Sequence, residues 1–310
     1  MPKHVLTLQD KEEILLKSDR FTAKQLAEQY HCSRSTILKL WMDNGYHKQT
    51  GYSYYVDDNY FSEINTPNKA YIIGLIASDG NIYQRDGHQG QIRLSFQNTE
   101  SEHSLLTNIL SDMNATHPIK KTTKASNDKQ YEYISVTIVS DQIYNDLFRI
   151  GIMPQKTWQM DIQQVIDCIP TKFVNDFLRG YFDGDGCITG VDKNKPSRTH
   201  INIAMPLQSA NTLRQYLLSV GIDVAVREDK RPGKYTHPFG RIEFFGVNKY
   251  IFLKWMYYDD CMCLKRKYNA AMKYCDLIEK NITNRSENIK AVNQYNVFLK
   301  HSKMIEGGVA

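Results

Sequence analysis

The 310-residue sequence lacks any long hydrophobic run. Its longest apolar stretches, such as residues 71–77, stop well short of the roughly 20 residues that a membrane-spanning helix requires. The stretch that follows Met1 also lacks the apolar core of a secretory signal peptide. We therefore expect a protein that is neither exported nor membrane-bound and that works in the cytoplasm.

Cysteine is scarce and scattered along the chain. Of the six cysteines, only Cys261 and Cys263 lie close together, and their C-x-C spacing is tighter than the usual CxxC arm of a zinc site. We therefore predict reduced thiols. The sequence also lacks a nucleophilic triad, a P-loop and a dinucleotide-binding fingerprint, so none of these chemistries competes with the interpretation that follows.

The composition is that of a globular chain, with 41% hydrophobic and 24% charged residues. It provides enough material for one large domain and one small domain. The 39 Lys and Arg residues outnumber the 34 Asp and Glu residues, which gives a net charge of +5. This excess is modest, but the basic residues cluster along the sequence, which favours a polyanionic partner.

The main body of the chain contains an internal repeat. Residues 71–82 read YIIGLIASDGNI and residues 177–188 read FLRGYFDGDGCI. Both segments predict an apolar helix with a glycine at the same position, Gly74 and Gly180. Glycine inside a helix costs about 1 kcal/mol relative to alanine, so its recurrence predicts that the two helices approach closely.

Each of these helices ends in an aspartate, Asp79 or Asp185. An acidic side chain at the negative end of a helix dipole is locally unfavourable, and here it occurs at both equivalent ends. A divalent cation bound by both carboxylates would explain this placement.

After each aspartate the hydrophobic period changes from 3.6 to 2, as in residues 92–96 and 201–205, which predicts strands. A helix, a second strand pair and another helix follow in each copy. The sequence therefore predicts an α+β fold made of two pseudo-symmetric αββαββα repeats with antiparallel sheets. The predicted organisation is an N-terminal domain at 1–46, a linker at 47–66, repeats at 67–158 and 172–279, an inter-repeat linker at 159–171 and a tail without assigned function at 280–310.

Residues 72–80 and 178–186 resemble the signature of the LAGLIDADG homing endonucleases, and the two copies followed by ββαββα strengthen the resemblance. It implies two signature helices packed at a pseudo-two-fold axis between saddle-shaped sheets. It also implies that Asp79 and Asp185, together with the adjacent Gly80 and Gly186, form a site for Mg²⁺, with Mn²⁺ as a substitute. The earlier acidic position of the signature is Asp183 in the second copy but Ala77 in the first. Members of this family place a lysine after the last helix of each repeat, and Lys156 and Lys265 are the candidates here.

The resemblance implies hydrolysis of both strands of double-stranded DNA by metal-activated water, at a specific site. One chain would act as a monomer, because its two repeats already form the pseudo-dimer. We expect it to work in a bacterial or phage-infected cell. Two alternatives remain: a DNA-binding transcriptional regulator that keeps the fold without cleavage, and an intron maturase that binds structured RNA.

Basic residues collect in the predicted strands and loops of both repeats. Strand pairs can enter the major groove, where such side chains read base edges and neutralise phosphates. The candidate DNA-binding residues are Arg85, Arg93, Lys121, Lys124, Lys195, Arg198, Arg227, Arg231, Lys234 and Arg241.

Residues 22–41 resemble a helix-turn-helix. His31 occupies the turn position where glycine is usual, which predicts a strained or differently shaped turn. Ser33 is expected to cap the second helix, and Leu26, Ala27, Tyr30, Ile37 and Leu40 to form the contact between the helices. The early residues of that second helix would then face the major groove, namely Arg34, Ser35, Thr36 and Lys39.

Overall fold

The computed structural model describes residues 6–18, 21–44, 54–126, 129–193, 195–231, 236–280 and 286–307. The chain divides into two compact units, Met1–Tyr54 and Tyr55–Ala310. This division falls inside the predicted linker at 47–66. Among the described helices, none has both the length and the apolar character that crossing a membrane demands.

The first unit contains three helices, as the sequence pattern predicts: α1 (Leu8–Leu16), α2 (Ala23–Gln29) and α3 (Arg34–Asp43). Capping boxes at Thr7 and Thr22 begin α1 and α2, because each threonine hydroxyl accepts a hydrogen bond from a backbone N–H of the first turn. The buried core of this unit comprises Leu6, Ile14, Ala23, Leu26, Ala27, Tyr30, Ile37 and Trp41. Trp41, which the sequence interpretation did not include, joins the predicted contacts, while Leu40 packs at their edge.

The second unit combines helices with two antiparallel sheets. Its helices are α4 (Pro67–Ser78), α5 (Glu100–Asp112), α6 (Asp141–Arg149), α7 (Lys156–Gln159), α8 (Ile162–Cys168), α9 (Val174–Asp185), α10 (Leu207–Ser219), α11 (Asn248–Met256), α12 (Lys265–Lys280) and α13 (Ser286–Gly307). Its strands are β1 (Asn81–Tyr83), β2 (Gln91–Gln97), β3 (Lys120–Ser126), β4 (Lys129–Val139), β5 (Gly186–Thr189), β6 (His200–Pro206), β7 (Val224–Glu228) and β8 (Phe239–Phe244).

The two sheets have the same topology. The first has the strand order β1-β2-β4-β3 and the second has the order β5-β6-β8-β7, and every neighbouring pair is antiparallel. Each sheet begins directly after one of the two repeated apolar helices, since β1 follows α4 and β5 follows α9. The predicted α+β class and the duplicated αββα core are therefore confirmed.

Each sheet buries one face and leaves the other open. In β2, Ile92, Leu94 and Phe96 are buried, whereas Arg93 and Ser95 between them are exposed. The same alternation holds in β6 and β8. Because successive side chains of a strand point to opposite faces, the apolar positions pack on the helices and the polar positions form an open face.

The helices α4 and α9 pack against each other at backbone contact. A Cβ added at Gly74 would lie 2.0 Å from the Phe177 carbonyl oxygen, and a Cβ added at Gly180 would lie 1.9 Å from the Tyr71 carbonyl oxygen. No side chain fits at either position, because real Cβ contacts are never so short. The close approach predicted from the two glycines is confirmed.

Two segments contribute more to the core than the sequence indicated. Residues 55–66, within the predicted linker, supply the buried Val56, Tyr60, Phe61 and Ile64 to the core of the second unit. The tail predicted at 280–310 contains α13, whose Phe298 packs edge-on against Trp255 of α11 at a ring-centroid distance of 5.6 Å. The tail is therefore part of the folded unit as far as it is described.

Candidate metal site and nucleic-acid interface

The two motif aspartates lie together at the ends of the packed helices. Asp79 caps α4 at its C-terminus, and Asp185 is the last residue of α9. A Cβ added at Gly184 would lie 2.0 Å from the Ser78 hydroxyl oxygen and 3.2 Å from the Asp79 carboxyl carbon. Both aspartates are exposed residues, so their side chains reach solvent.

The surrounding protein raises the pKa of both carboxyl groups. Partial burial raises the pKa of Asp185 to about 6, and the negative charge of Asp79 adds to this effect. Partial burial also raises the pKa of Asp79, against the opposing charges of Lys267, Lys156 and Arg266. A cation bound between two such carboxylates would stabilise their ionised forms, because it offsets the repulsion between the two negative charges.

The two glycines that follow the aspartates are required by local packing. An added Cβ would lie 2.7 Å from the Ile76 carbonyl oxygen at Gly80 and 2.5 Å from the Phe182 carbonyl oxygen at Gly186. Ile76 and Phe182 occupy equivalent positions in the two repeats, so the turn after each helix has the same tight geometry.

Lys156, a predicted site residue, lies near the two aspartates. It begins α7, is buried, and donates a hydrogen bond from Nζ to the Ser78 carbonyl oxygen, at the residue before Asp79. Burial lowers the pKa of Lys156, while the charges of Asp185 and Asp79 act to raise it. The ammonium group therefore lies within electrostatic reach of both carboxylates.

In the second repeat the lysine beside the aspartates is Lys267 and not the predicted Lys265. Lys265 is exposed, and its Nζ lies 4.4 Å from the ring centroid of Tyr268. Lys267 is buried and donates hydrogen bonds to the carbonyl oxygens of Phe182 at 2.7 Å, Asp183 at 2.7 Å and Gly184 at 3.1 Å. Residues two positions apart on a helix point about 200° apart, so only one of these two lysines can face α9.

The contacts of the two buried lysines are related by the repeat. Ser78 and Gly184 each precede a motif aspartate, and each carbonyl oxygen accepts a hydrogen bond from a buried lysine. Burial lowers the pKa of Lys267 to about 8, with Asp183, Asp79 and Asp185 acting to raise it. The site thus has two carboxylates and two ammonium groups in a pseudo-symmetric arrangement.

The arginine beside Lys267 was not predicted. Arg266 donates from Nε to the Glu102 carboxylate at 3.0 Å, which joins α12 to α5 of the first repeat. Its side chain is 60% exposed, and its charge opposes the rise in the pKa of Asp79 that burial causes. The run Lys265-Arg266-Lys267 was the available signal in the sequence, since three consecutive residues at a helix start span about 200° of its circumference.

Asp183, the additional acid of the second motif, lies in the protein interior. Its carboxylate accepts hydrogen bonds from the Tyr71 hydroxyl at 2.9 Å, the Tyr257 hydroxyl at 2.6 Å and the Leu264 backbone N–H at 2.6 Å. Burial raises the pKa of Asp183. Its environment links the two repeats and gives no access to a substrate, which agrees with leaving it out of the predicted catalytic set.

The donor set at the helix ends fits a hard divalent cation. Within the described ranges, no group of three or more His, Cys, Asp or Glu side chains is arranged to hold a metal ion. Two carboxylates therefore have to suffice as side-chain ligands. Mg²⁺ is commonly held in this way, because it keeps several water ligands and takes the remainder from substrate phosphates. The backbone carbonyls of this tight turn are oxygen donors of the same hard type.

The strand register decides which of the predicted basic residues share the open face of the first sheet. Arg93 pairs with Thr137 and Lys124 pairs with Tyr131, and all of these lie on the face opposite the core. Lys121 pairs instead with the buried Ile134, so its side chain lies on the other face of β3. Arg85 is exposed in the connection between β1 and β2.

The second sheet presents two of the predicted arginines on its open face. Arg227 and Arg241 are direct cross-strand partners on β7 and β8. The other described candidates of this repeat are exposed in the connections between strands: Lys195, Arg198 and Arg231. Lys234 lies outside the described residues.

In the first unit, the helix expected to read DNA has an exposed first turn. The Ser33 hydroxyl accepts a hydrogen bond from the Thr36 backbone N–H at 3.1 Å, so the predicted cap is confirmed. His31 has a φ of 49°, in the left-handed region that glycine adopts most easily, so the predicted strain in this turn is present. All four predicted contact residues are exposed, namely Arg34, Ser35, Thr36 and Lys39.

The chain was compared with family models, curated proteins and solved structures. Residues 172–252 match the family model of the LAGLIDADG-like domain. A comparison with curated proteins found no match. Among solved structures, the homing endonuclease I-WcaI bound to its DNA recognition sequence matches at a TM-score of 0.45 and 12% identity, covering 68% of this chain and 86% of that chain.

Two further solved structures match with similar TM-scores and sequence identities. A lysine-to-alanine variant of I-SmaMI matches at a TM-score of 0.44 and 13% identity, covering 75% of this chain and 96% of that chain. Full-length DUF199/WhiA from Thermatoga maritima matches at 0.40 and 12%, covering 78% of this chain and 71% of that chain. The family-model match over residues 172–252 bears out, for the second repeat, the resemblance inferred from its signature.

Proposed function

We propose that this protein is a site-specific, metal-dependent endonuclease that hydrolyses both strands of double-stranded DNA. The observation that carries the proposal is the pair of exposed carboxylates, Asp79 and Asp185, at adjacent helix ends, each next to a carbonyl that a buried lysine contacts. A structural role alone does not account for two raised carboxyl pKa values at an exposed position between two lysines.

Each residue of the site has a defined task in this reaction. Asp79 and Asp185 would hold Mg²⁺ or Mn²⁺, and the adjacent Gly80 and Gly186 would offer backbone carbonyl oxygens as further ligands. A bound divalent cation would supply Lewis acidity, which acidifies water and offsets the charge that builds on the scissile phosphate.

The buried lysines complement the carboxylates. Lys156 and Lys267 are anchored by carbonyl oxygens, so their ammonium groups stay in place when a phosphodiester enters. We propose that they stabilise the negative charge that develops on the phosphate oxygens or polarise the attacking water. In the second repeat we assign this role to Lys267 in place of the predicted Lys265. Arg266, tethered by Glu102 and largely exposed, adds a further positive charge beside Asp79.

The duplex would lie across the open faces of the two sheets. Arg93 and Lys124 in the first sheet, with Arg227 and Arg241 in the second, can read base edges in the major groove. The basic connections, including Arg85, Lys195, Arg198 and Arg231, are suited to neutralising phosphates. Lys121, on the opposite face of its strand, would contact a phosphate only at the edge of the sheet.

The first unit provides a second DNA contact in this proposal. The exposed start of α3 offers Arg34, Ser35, Thr36 and Lys39 as the residues that enter a groove. We also propose that the chain acts as a monomer, because the two repeats supply one carboxylate each. Its proposed place of action is the cytoplasm of a bacterial or phage-infected cell.

A cleavage selection tests the proposal without a known target. A library of circular duplex DNA with a randomised insert is incubated with the full-length protein and Mg²⁺ or Mn²⁺, and linearised molecules are sequenced at their ends. Wild-type protein is expected to enrich one family of sites, and Asp79→Asn or Asp185→Asn to abolish cleavage while retaining binding. Lys265→Met provides a matched exposed control.

The other outcomes identify the alternatives. Wild-type protein that binds and enriches a duplex sequence but never nicks it, with either metal, would support the regulator and overturn the nuclease. Tighter binding to structured RNA than to any enriched duplex would support the maturase. Cleavage whose initial rate rises with the square of protein concentration would contradict the monomer.

A further inference from the structure

Two arginines on the open face of the second sheet share one carboxylate. Arg227 on β7 and Arg241 on β8 lie directly opposite each other in the antiparallel register. The Glu243 carboxylate accepts a hydrogen bond from the Arg227 Nε with one oxygen and from the Arg241 Nε with the other, both at 2.6 Å. We name this cluster the Arg227–Glu243–Arg241 clamp.

The clamp is accessible, although its central residue is sheltered. The side chains of Arg227 and Arg241 are 65% and 52% exposed, whereas that of Glu243 is 28% exposed. Burial would raise the pKa of Glu243, but the hydrogen bonds from Arg241 and Arg227 outweigh it and lower the pKa. Glu243 is therefore ionised at neutral pH, and the clamp carries a net charge of one positive unit.

The hydrogen bonds to Glu243 leave the Nη groups of both guanidinium groups available. Both contacts to Glu243 use Nε, and among the described residues the side chains of Arg227 and Arg241 form no other hydrogen bond. An arginine fixed through Nε still presents its two Nη groups as a fork. Such a fork matches the O6 and N7 acceptors of guanine in the major groove.

We propose that the Arg227–Glu243–Arg241 clamp is a preorganised reader of guanine, in which Glu243 is a positioning residue that sets the sequence preference of the second repeat. This inference rests on the proposed function, because it requires a duplex on the open face of the sheet. Neighbouring strands lie about 4.8 Å apart, so the two forks are expected to read adjacent base pairs.

A simpler role for Glu243 makes a different prediction. Like charges directly opposite in a sheet repel each other, so Glu243 would also stabilise the fold by separating two cations. Loss of that role would change stability and overall affinity for DNA, but it would not change which base is preferred. The readout that separates the two roles is therefore base preference.

The test uses full-length protein in an Asp79→Asn background, so that cleavage does not deplete bound DNA, and a double-stranded pool with a randomised segment. The Asp79→Asn parent, which retains Glu243, is expected to enrich DNA with guanine at adjacent positions. Glu243→Gln can hold only one arginine through its amide oxygen, and it is expected to lower the guanine preference about tenfold at one position or more. Affinity for random duplex should rise, because one negative charge is lost.

The chain offers a matched control for this charge change. Glu228 lies on the same strand as Arg227 but pairs with Gly240, on the core-facing side of the sheet. Glu228→Gln removes the same charge from the same sheet without touching the clamp. Affinity for random duplex should rise by no more than in Glu243→Gln, because Glu228 lies on the side away from the proposed duplex, while guanine preference stays unchanged. Thermal unfolding of each variant shows whether it is folded.

Two arginine variants complete the design. Arg227→Gln and Arg241→Gln should each remove the guanine preference at one position, and adding Glu243→Gln to either should have less effect than in the parent. Unchanged guanine preference in Glu243→Gln, with a site still enriched, would overturn the clamp and leave the proposed function intact. A parent protein that enriches no duplex sequence would overturn both.

Discussion

Alanine at the two interface glycines provides a test in which two physical effects have opposite signs. The exchange of glycine for alanine in a helix interior normally stabilises the folded state by about 1 kcal/mol. At Gly74 and Gly180, however, the added Cβ would lie 2.0 and 1.9 Å from the carbonyl oxygens of the facing helix. Ordinary contact begins at 3.4 Å, so the helices would have to separate by more than an ångström.

The magnitude of this conflict decides the expected sign. Overpacking a close-packed interior typically costs about 1–3 kcal/mol, and the cost is at the upper end where the obstructing atom belongs to the backbone and cannot rotate away. We therefore expect Gly74→Ala and Gly180→Ala each to destabilise the protein by roughly 1–2 kcal/mol net. The separation would also move Asp79 relative to Asp185, so the affinity for Mn²⁺ should fall.

Urea unfolding measures the first effect, and titration calorimetry with Mn²⁺ measures the second. Asn108→Ala, on the exposed side of α5, is the control that changes helix propensity without touching a packed surface. It should be neutral or stabilising. Stabilisation of Gly74→Ala or Gly180→Ala by the same amount as the control would refute the backbone contact between α4 and α9.

Three further predictions concern the proposed reaction. Lys267→Met should lower the rate of cleavage about 100-fold in single-turnover assays, whereas Lys265→Met should change it less than about threefold; equal effects would contradict the assignment of Lys267. Burial raises the pKa of Asp185 to about 6, and only the ionised carboxylate binds metal. The affinity for Mn²⁺ measured by calorimetry should therefore be constant above about pH 7 and fall up to tenfold per pH unit below pH 6. Constant affinity from pH 5 to 8 would exclude this carboxylate as a ligand. Affinity for duplex DNA should fall about a thousandfold between 50 and 200 mM salt if some six phosphates are neutralised, and a flat response in filter binding would remove the nucleic-acid interpretation.

The sequence predicted the features that depend on local pattern. The repeated apolar helices, the glycines at equal positions and the alternation in β2 and β6 all follow from periodicity, and the structure has them at nearly the predicted bounds. Lys156 also lies beside the aspartates, because a short connection of six residues separates it from α6. Where the chain between an element and a residue is short, position along the sequence is a good guide to position in space.

The sequence failed where the answer depends on register or on the path of a longer connection. Eight residues separate α11 from α12, so counting from the first repeat could not distinguish Lys265 from Lys267. A shift of one residue in strand pairing moves a side chain to the other face, which is why Lys121 was grouped with Lys124. Glu243 could not be predicted as a partner of two arginines, because its contact to Arg227 arises from the pairing of β7 with β8.

The two signature motifs differ in that the second has Asp183 where the first has Ala77. We relate this difference to the longer connection between α11 and α12. In the second repeat, Leu264 immediately precedes α12, and its backbone N–H donates to the buried Asp183 carboxylate, which fixes the start of the helix that carries Lys267. Tyr71 of the first repeat and Tyr257 of the second donate to the same carboxylate, so its buried charge is fully hydrogen-bonded. In the first repeat the connection from α6 to α7 is shorter and ends in the left-handed Gln155, at a φ of 58°. We infer that an alanine is sufficient at position 77, because the shorter connection needs no buried acid to hold Lys156 beside Asp79 and Asp185.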